Sequence, residues 1–145
     1  MLTACEPWPE PPAAAPVDAG SSLLGAKIVD LARIQVGAPY LYGGHSPKGF
    51  DCSGLVYYVY GKAGVSVPRT AELQFDGLPR VGRQDLQPGD LVFFQMAGLM
   101  HVGIYIGSET FIHAPETGKP VSDARLDSDF WSERYLGAAR PLVRH

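Results

Sequence analysis

The hydrophobic pattern changes its period near Leu86, and that change limits the folds open to this chain. Before it, apolar residues recur at helical spacing. In "SSLLGAKIVDLARIQVG" they fall at Leu24, Ile28, Leu31 and Ile34, behind serines suited to capping and ahead of Gly37 as a stop. "CSGLVYYVY" reads as a second helix from Cys52 to Tyr60, despite its β-branched residues, ended by Gly61 or Gly64. "RTAELQFDG" reads as a short third helix opened by Thr70. After the change come short strands between turns. They are "LQPGDLVFFQ" with Pro88-Gly89 as its turn, "HVGIYIG" and "TFIHA" around a tight connection, "PVSDARL", and a closing "LGAARPLV". One helical turn is expected at "SDFWSERY". Helices first and strands second predict an α+β fold, an antiparallel sheet packed on helices.

The chain's 145 residues, 46% hydrophobic and 19% charged, suit one globular domain with its own core. Its formal net charge is -3, and Lys and Arg are scattered rather than blocked, which argues against a nucleic-acid partner. No apolar stretch approaches the ~20 residues of a membrane-spanning helix. Two cysteines, Cys5 and Cys52, are too few for a disulfide scaffold. Residues 1–20 and 21–145 read as two parts. "EPWPEPPAAAPVDAG" is rich in Pro and Ala and is expected as an extended tether, and the folded domain follows it. Ahead of the tether, "LTAC" at Leu2 to Cys5 resembles the lipobox of bacterial lipoproteins, which implies a lipid on Cys5. Met1 stands directly before the box, without the charged and apolar segments of a secretory signal, so an ordinary N-terminus is the competing reading. The tether favours the lipobox, because a lipid-anchored enzyme needs a spacer.

Cys52 follows a Gly-rich loop, lies between Asp51 and Ser53, and opens a helix. Three readings are open: a buried structural cysteine, a metal ligand, or a nucleophile. Residue type alone favours the first. Position favours the third, because the N–H groups and positive dipole end of a helix start stabilise a thiolate. A nucleophilic cysteine also needs a base. Of His45, His101, His113 and His145, the second opens one strand and the third ends the next. A hairpin symmetric about Gly107 pairs His101 with His113 on one face and Val102 with Ile112 on the other. Two adjacent imidazoles suit a base and the group that orients it. Either histidine alone is more simply a half-buried structural residue, and a one-residue slip in register would separate them. A zinc site from Cys52, His101, His113 and His45 is weighed lower, because there is no short-spaced ligand pair such as CxxC. No metal or cofactor is expected.

"YLYGGHSPKGFDCSGLVYYVY", "VPRTAELQ", "LQPGDLVFF", "HVGIYIG" and "FIHAP" together resemble the NlpC-type cysteine peptidases of the bacterial cell wall. The likeness runs in order from about Ile28 to the end of the chain. It implies a papain-like fold, with the nucleophile at a helix start packed on an antiparallel sheet. It implies Cys52 as nucleophile, His101 as general base, His113 as the group orienting it, and Tyr40 as a contributor to the oxyanion hole. Asp51, Ser53 and Arg69 match residues that bind the polar end of a stem peptide in some relatives. Asp51 and Ser53 serve equally well as helix caps, and Arg69 as a surface residue. Tyr42 and His45 are assigned to loop packing. The implied activity is hydrolysis of peptidoglycan stem peptides, at D-γ-glutamyl–diaminopimelate or alternatively at the D-alanyl–diaminopimelate cross-link. Other amidase or acyltransferase chemistry and a non-catalytic wall-binding role are the competing readings. The permuted acyltransferase branch places its His before its Cys, whereas Cys52 precedes both histidines. The expected protein is an exported monomer of the cell envelope, lipid-anchored in the periplasm.

Overall fold

The computed structural model describes residues 19–141; Cys5, the Pro- and Ala-rich stretch as far as Asp18 and His145 lie outside them, and Ala19 and Gly20, expected as the end of the tether, are helical. The first helix, α1, spans Ala19–Gln35. The serines expected as caps lie inside its first turn. Its buried face is Ile28, Val29, Ala32 and Gln35, while Ile34 is 72% exposed. Steps of three from Ile28 lag the helical period by about 60° each, so the second step leaves the core side; Ile28, Ala32 and Gln35 follow the period more closely. Gly37 ends this segment with φ 99°, and its N–H donates to Val121 O at 2.9 Å.

A small hairpin, β1 (His45–Ser46) and β2 (Gly49–Phe50), comes next, within the stretch expected to be loop. The second helix, α2, spans Cys52–Lys62. Asp51 is its N-cap, and Gly54 N–H donates to Asp51 Oδ1 at 2.6 Å. Leu55, Val56, Val59 and Tyr60 are buried on it, so tertiary burial outweighs the weak helix propensity of its valines and tyrosines. The helix passes through Gly61, and Gly64 follows its end with φ 86°. Helix α3 spans Ala71–Gly77, and Leu73 N–H donates to Thr70 Oγ1 at 3.3 Å, as the capping pattern predicts.

The strands are β3 (Arg80–Val81), β4 (Leu91–Met96), β5 (Leu99–Gly107), β6 (Thr110–His113), β7 (Ser122–Arg125) and β8 (Tyr135–Ala139). A one-turn helix, α4 (Asp129–Ser132), joins the last two. They form one antiparallel sheet in the order β3-β8-β4-β5-β6-β7. One face, with Leu91, Phe93, Val102, Ile104 and Ile112, packs on Ile28, Leu55, Val56 and Val59 of α1 and α2. The other, with Val92, Phe94, Tyr105 and Phe111, is closed by Leu126, Trp131 and Tyr135. Burial on both faces explains why "LVFF" is a continuous apolar run rather than an alternation.

The hairpin register differs from the sequence expectation. The observed pairs are Ile104↔Ile112 and Tyr105↔Phe111, with a bulge before Gly107↔Thr110. His101 is therefore not directly opposite His113, and Val102 faces Phe93 of β4 instead of Ile112. The turn is centred on Ser108 and Glu109, both at positive φ (52° and 59°), as in the primed turns that suit hairpin twist. That shifts the register by two residues rather than one. Side-chain parity is preserved, so both histidines still lie on one face.

Gly54 is where α2 meets the loop before it. A Cβ there would overlap Gly44 O, a backbone atom, and would crowd Asp51 Oδ1 at 2.8 Å. Gly54→Ala is expected to destabilise the fold by about 2–3 kcal/mol, at the upper end of overpacking costs, because a backbone carbonyl cannot swing aside. Urea denaturation of the two proteins checks it.

Candidate active site

Cys52 is the first residue of α2 and is half-buried. It borders an open groove of about 450 Å³ whose wall includes Tyr40, Tyr42, Asp51, Arg69, Glu72 and Met100. The backbone N–H groups of Val102 and Ser53 act on the thiol and favour its ionised form, as the helix-start argument anticipates. Burial is the larger effect, and it pushes the Cys52 pKa up; the Asp51 and Glu72 charges add to the rise. The thiolate expected from the helix start is therefore not the resting form at neutral pH. The register of β5 with β6 runs to Ile104↔Ile112, and the thiol meets β5 beyond it, beside Val102. Tyr40 is on the same groove, and burial raises its phenol pKa, the Cys52 charge contributing next.

The Asp51 side chain is a hub. Besides capping α2, its Oδ2 accepts from Gly43 N–H at 3.1 Å. The Arg69 guanidinium donates to Asp51 Oδ1 (3.2 Å), Asp51 Oδ2 (3.1 Å) and Ser53 Oγ (3.0 Å). The same guanidinium reaches Gly43 O at 3.1 Å. Arg69 thus ties the groove's floor to its rim and is more than a surface residue. Asp51 caps as expected; Ser53 Oγ donates to Asp51 at 3.4 Å and serves the ion pair instead. Tyr42 does not pack in the loop as expected: it is 91% exposed on the groove's rim. His45 is exposed as well, with one edge-on ring contact to Tyr57 of α2 at 6.0 Å.

His101 and His113 come together near the start of β5 and at the end of β6, 6% and 4% exposed, with His101 Nε2 2.7 Å from His113 Nδ1. They do not form part of the groove's wall. Burial lowers the His101 pKa to about 4; burial and then the His101 charge lower that of His113 to about 3. Two residues not anticipated from sequence make this pairing work. Gly103 leaves room for the Phe111 ring beside His113, since a Cβ there would lie 2.6 Å from Phe111 Cδ2 and 3.3 Å from His113 Cβ. A glycine inside a strand is the signal for such a close approach. Trp131 stacks on His101, with centroids 5.5 Å apart and planes at 23°, and meets His113 edge-on at 5.1 Å. No sequence signal marked it. Among the described residues, no three His, Cys, Asp or Glu side chains form a metal-binding group.

Helices on one face of an antiparallel sheet, a cysteine at a helix start and paired histidines across β5 and β6 define the papain-like α+β class. The NlpC/P60 family model matches residues 37–140, and the chain belongs to that family. It is 45% identical over 117 residues to Murein DD-endopeptidase MepH of Escherichia coli K12, covering 75% of this chain and 43% of that protein. It is 41% identical over 118 residues to Gamma-DL-glutamyl hydrolase of Bacillus subtilis, covering 78% of this chain and 28% of that one. Among solved structures, it resembles a Staphylococcus aureus protein described as similar to lipoprotein, of the NLP/P60 family. That likeness has a TM-score of 0.76 and 39% identity, over 84% of this chain and 42% of that one. The chain thus spans about half, or less, of the length of these relatives.

The buried imidazoles make stability pH-dependent. Their folded pKa values lie below the unfolded value of about 6.5, so between pH ~6.5 and ~4 the unfolded chain binds protons that the native one does not. This stability is present above pH ~6.5 and is lost as pH falls. Urea midpoints are expected to fall from pH 7 to pH 5, and to fall less in a His101→Gln/His113→Gln variant. Equal slopes for the two proteins would contradict a neutral, buried pair.

Proposed function

We propose that this chain is the catalytic domain of a peptidoglycan endopeptidase that cleaves an amide in the stem peptide by thiol chemistry. The observation that carries the reading is the position of Cys52, at the head of α2 on an open groove, with its sulfur beside Val102, the residue after His101. Because His101 Nε2 is engaged by His113, Nδ1 is the nitrogen left for the thiol.

Cys52 Sγ attacks the amide carbonyl as its proton passes to His101 Nδ1, so ionisation and attack go together rather than starting from a stable thiolate. The Cys52 backbone N–H, one of those a helix start leaves unpaired, and Tyr40 stabilise the oxyanion. Imidazolium Nδ1 returns the proton to the amide nitrogen, the C–N bond breaks, and a thioester remains. Neutral His101 then takes a proton from water, which attacks the thioester. The acid is released and the thiol restored. His113 holds the His101 ring throughout. Asp51, Ser53 and Arg69 bind the polar end of the stem peptide.

The bond assigned first is D-γ-glutamyl–diaminopimelate. The D-alanyl–diaminopimelate cross-link is the second reading, favoured by the similarity to a murein DD-endopeptidase. The domain works in the cell envelope, tethered by the residues before α1 with a lipid on Cys5; likeness to a protein described as similar to lipoprotein supports the anchor.

With diaminopimelate-type peptidoglycan and mass spectrometry of the products, wild-type protein is expected to release defined stem fragments whose masses name the bond. Cys52→Ala should release none, and His101→Ala should lose at least ~100-fold, the lower range for a positioned base. His113→Ala should lose less. Full hydrolysis by Cys52→Ala would sink the proposal. The intact mass of the natively expressed protein should carry diacylglycerol on Cys5; an unmodified Cys5 would remove the anchor.

A further inference from the structure

Among the described residues, the His101 imidazole has no carboxylate partner. Its Nε2 meets His113, which supplies a lone pair but no charge. The elements around the pair carry few charges that face it. On β7, the residue opposite His113 is Ser122, while Asp123 and Arg125 are exposed. On α4 and just beyond, Asp129 and Glu133 are exposed, and the Arg134 guanidinium lies 3.8 Å from the centre of the Phe130 ring. From β4 the neighbour is Phe94, with ring centroids 6.3 Å apart. Asp51 and Glu72 act on Cys52 at the groove.

What covers the flat face of His101 is the Trp131 indole, nearly parallel at 23°. The indole is held from several sides. Phe94 (4.8 Å), Phe111 (5.2 Å) and Phe130 (4.9 Å) meet it edge-on, and its backbone N–H donates to Ser128 Oγ at 3.3 Å. An indole face within about 6 Å of a cation attracts it, and Trp does so best among aromatic residues. We propose that Trp131 is a positioning residue for the reaction: its ring fixes the plane of His101 and its π face stabilises the imidazolium formed when Cys52 gives up its proton. It does for His101 what a buried carboxylate does elsewhere, without adding a second charge to the core. The proposal rests on His101 being the base, as proposed above.

The test turns on the sign of one shift. If Trp131 acts only as apolar cover, removing it admits water and the His101 pKa rises toward the ordinary histidine value. If its π face stabilises the cation, a non-aromatic replacement lowers that pKa further. The full chain, ¹⁵N-labelled at histidine, is titrated by NMR as wild type, Trp131→Phe and Trp131→Leu. Single-turnover cleavage of a purified stem peptide is followed across pH for the same three proteins. In Trp131→Leu the His101 midpoint should fall, and kcat/KM should drop about tenfold or more with KM little changed and its acid limb moved to lower pH. Trp131→Phe, which keeps a ring and the fold, should lie between. A rise in the His101 midpoint, or no change in both variants, overturns the proposal. The titration needs no turnover. Absence of hydrolysis by the wild type, with the midpoint falling in Trp131→Leu, would remove the function reading and leave only the Trp131–imidazolium contact, while a rise with hydrolysis intact would remove this proposal alone.

Discussion

The Asp51 carboxylate is bound from three directions, and the rest of the site hangs on it. Gly54 N–H fixes it to the start of α2, Gly43 N–H ties it to the loop that carries Tyr40 and Tyr42, and Arg69 ties it to the segment leading into α3. One side chain thereby sets where α2 begins, which places Cys52 on the groove instead of a turn deeper in the core. The ion pair is partly buried, its side chains 31% and 18% exposed, and each charge also has neutral hydrogen-bond partners. That is the condition under which a half-buried pair holds geometry rather than merely costing desolvation.

Burial governs the electrostatics beyond that hub. The thiol is pushed up and both imidazoles are pushed down, so cysteine and histidines rest uncharged at neutral pH. The proposed reaction must then create charge as it proceeds, in surroundings with little water to stabilise it. Donors fixed before the event are worth most in such a site. The N–H groups acting on the sulfur from Val102 and Ser53, and the aromatic wall around His101, are fixed in this way by strand pairing, a helix start and ring packing.

Much of this was legible in the sequence, because the relevant signals are local. Helix α3 begins after Thr70, the Pro88-Gly89 turn precedes β4, and the order of helices and strands follows from period and punctuation. The two histidines share a face as parity predicted. Their register missed by two residues because Ser108 and Glu109 adopt positive φ, which neither residue type advertises, and because β5 holds an extra residue at its bulge. Ile34 reads as core by counting in threes and is solvent-facing by true helical period. Trp131 was out of reach for another reason. Apart from the adjacent Phe130, its ring partners are Phe94, His101, Phe111 and His113, each from a strand far from it in sequence, so only the closed sheet brings them together.

The sheet's outer strands are a two-residue piece, Arg80–Val81, and a four-residue piece carrying Asp123 and Arg125. A six-stranded sheet with apolar faces is a template for adding foreign strands wherever an edge is long and uncharged. Here one edge is too short to seed pairing and the other presents charges at every second position. Crowded copies of this domain thus meet one another through side chains and not through open backbone, which keeps them from growing into a shared ladder.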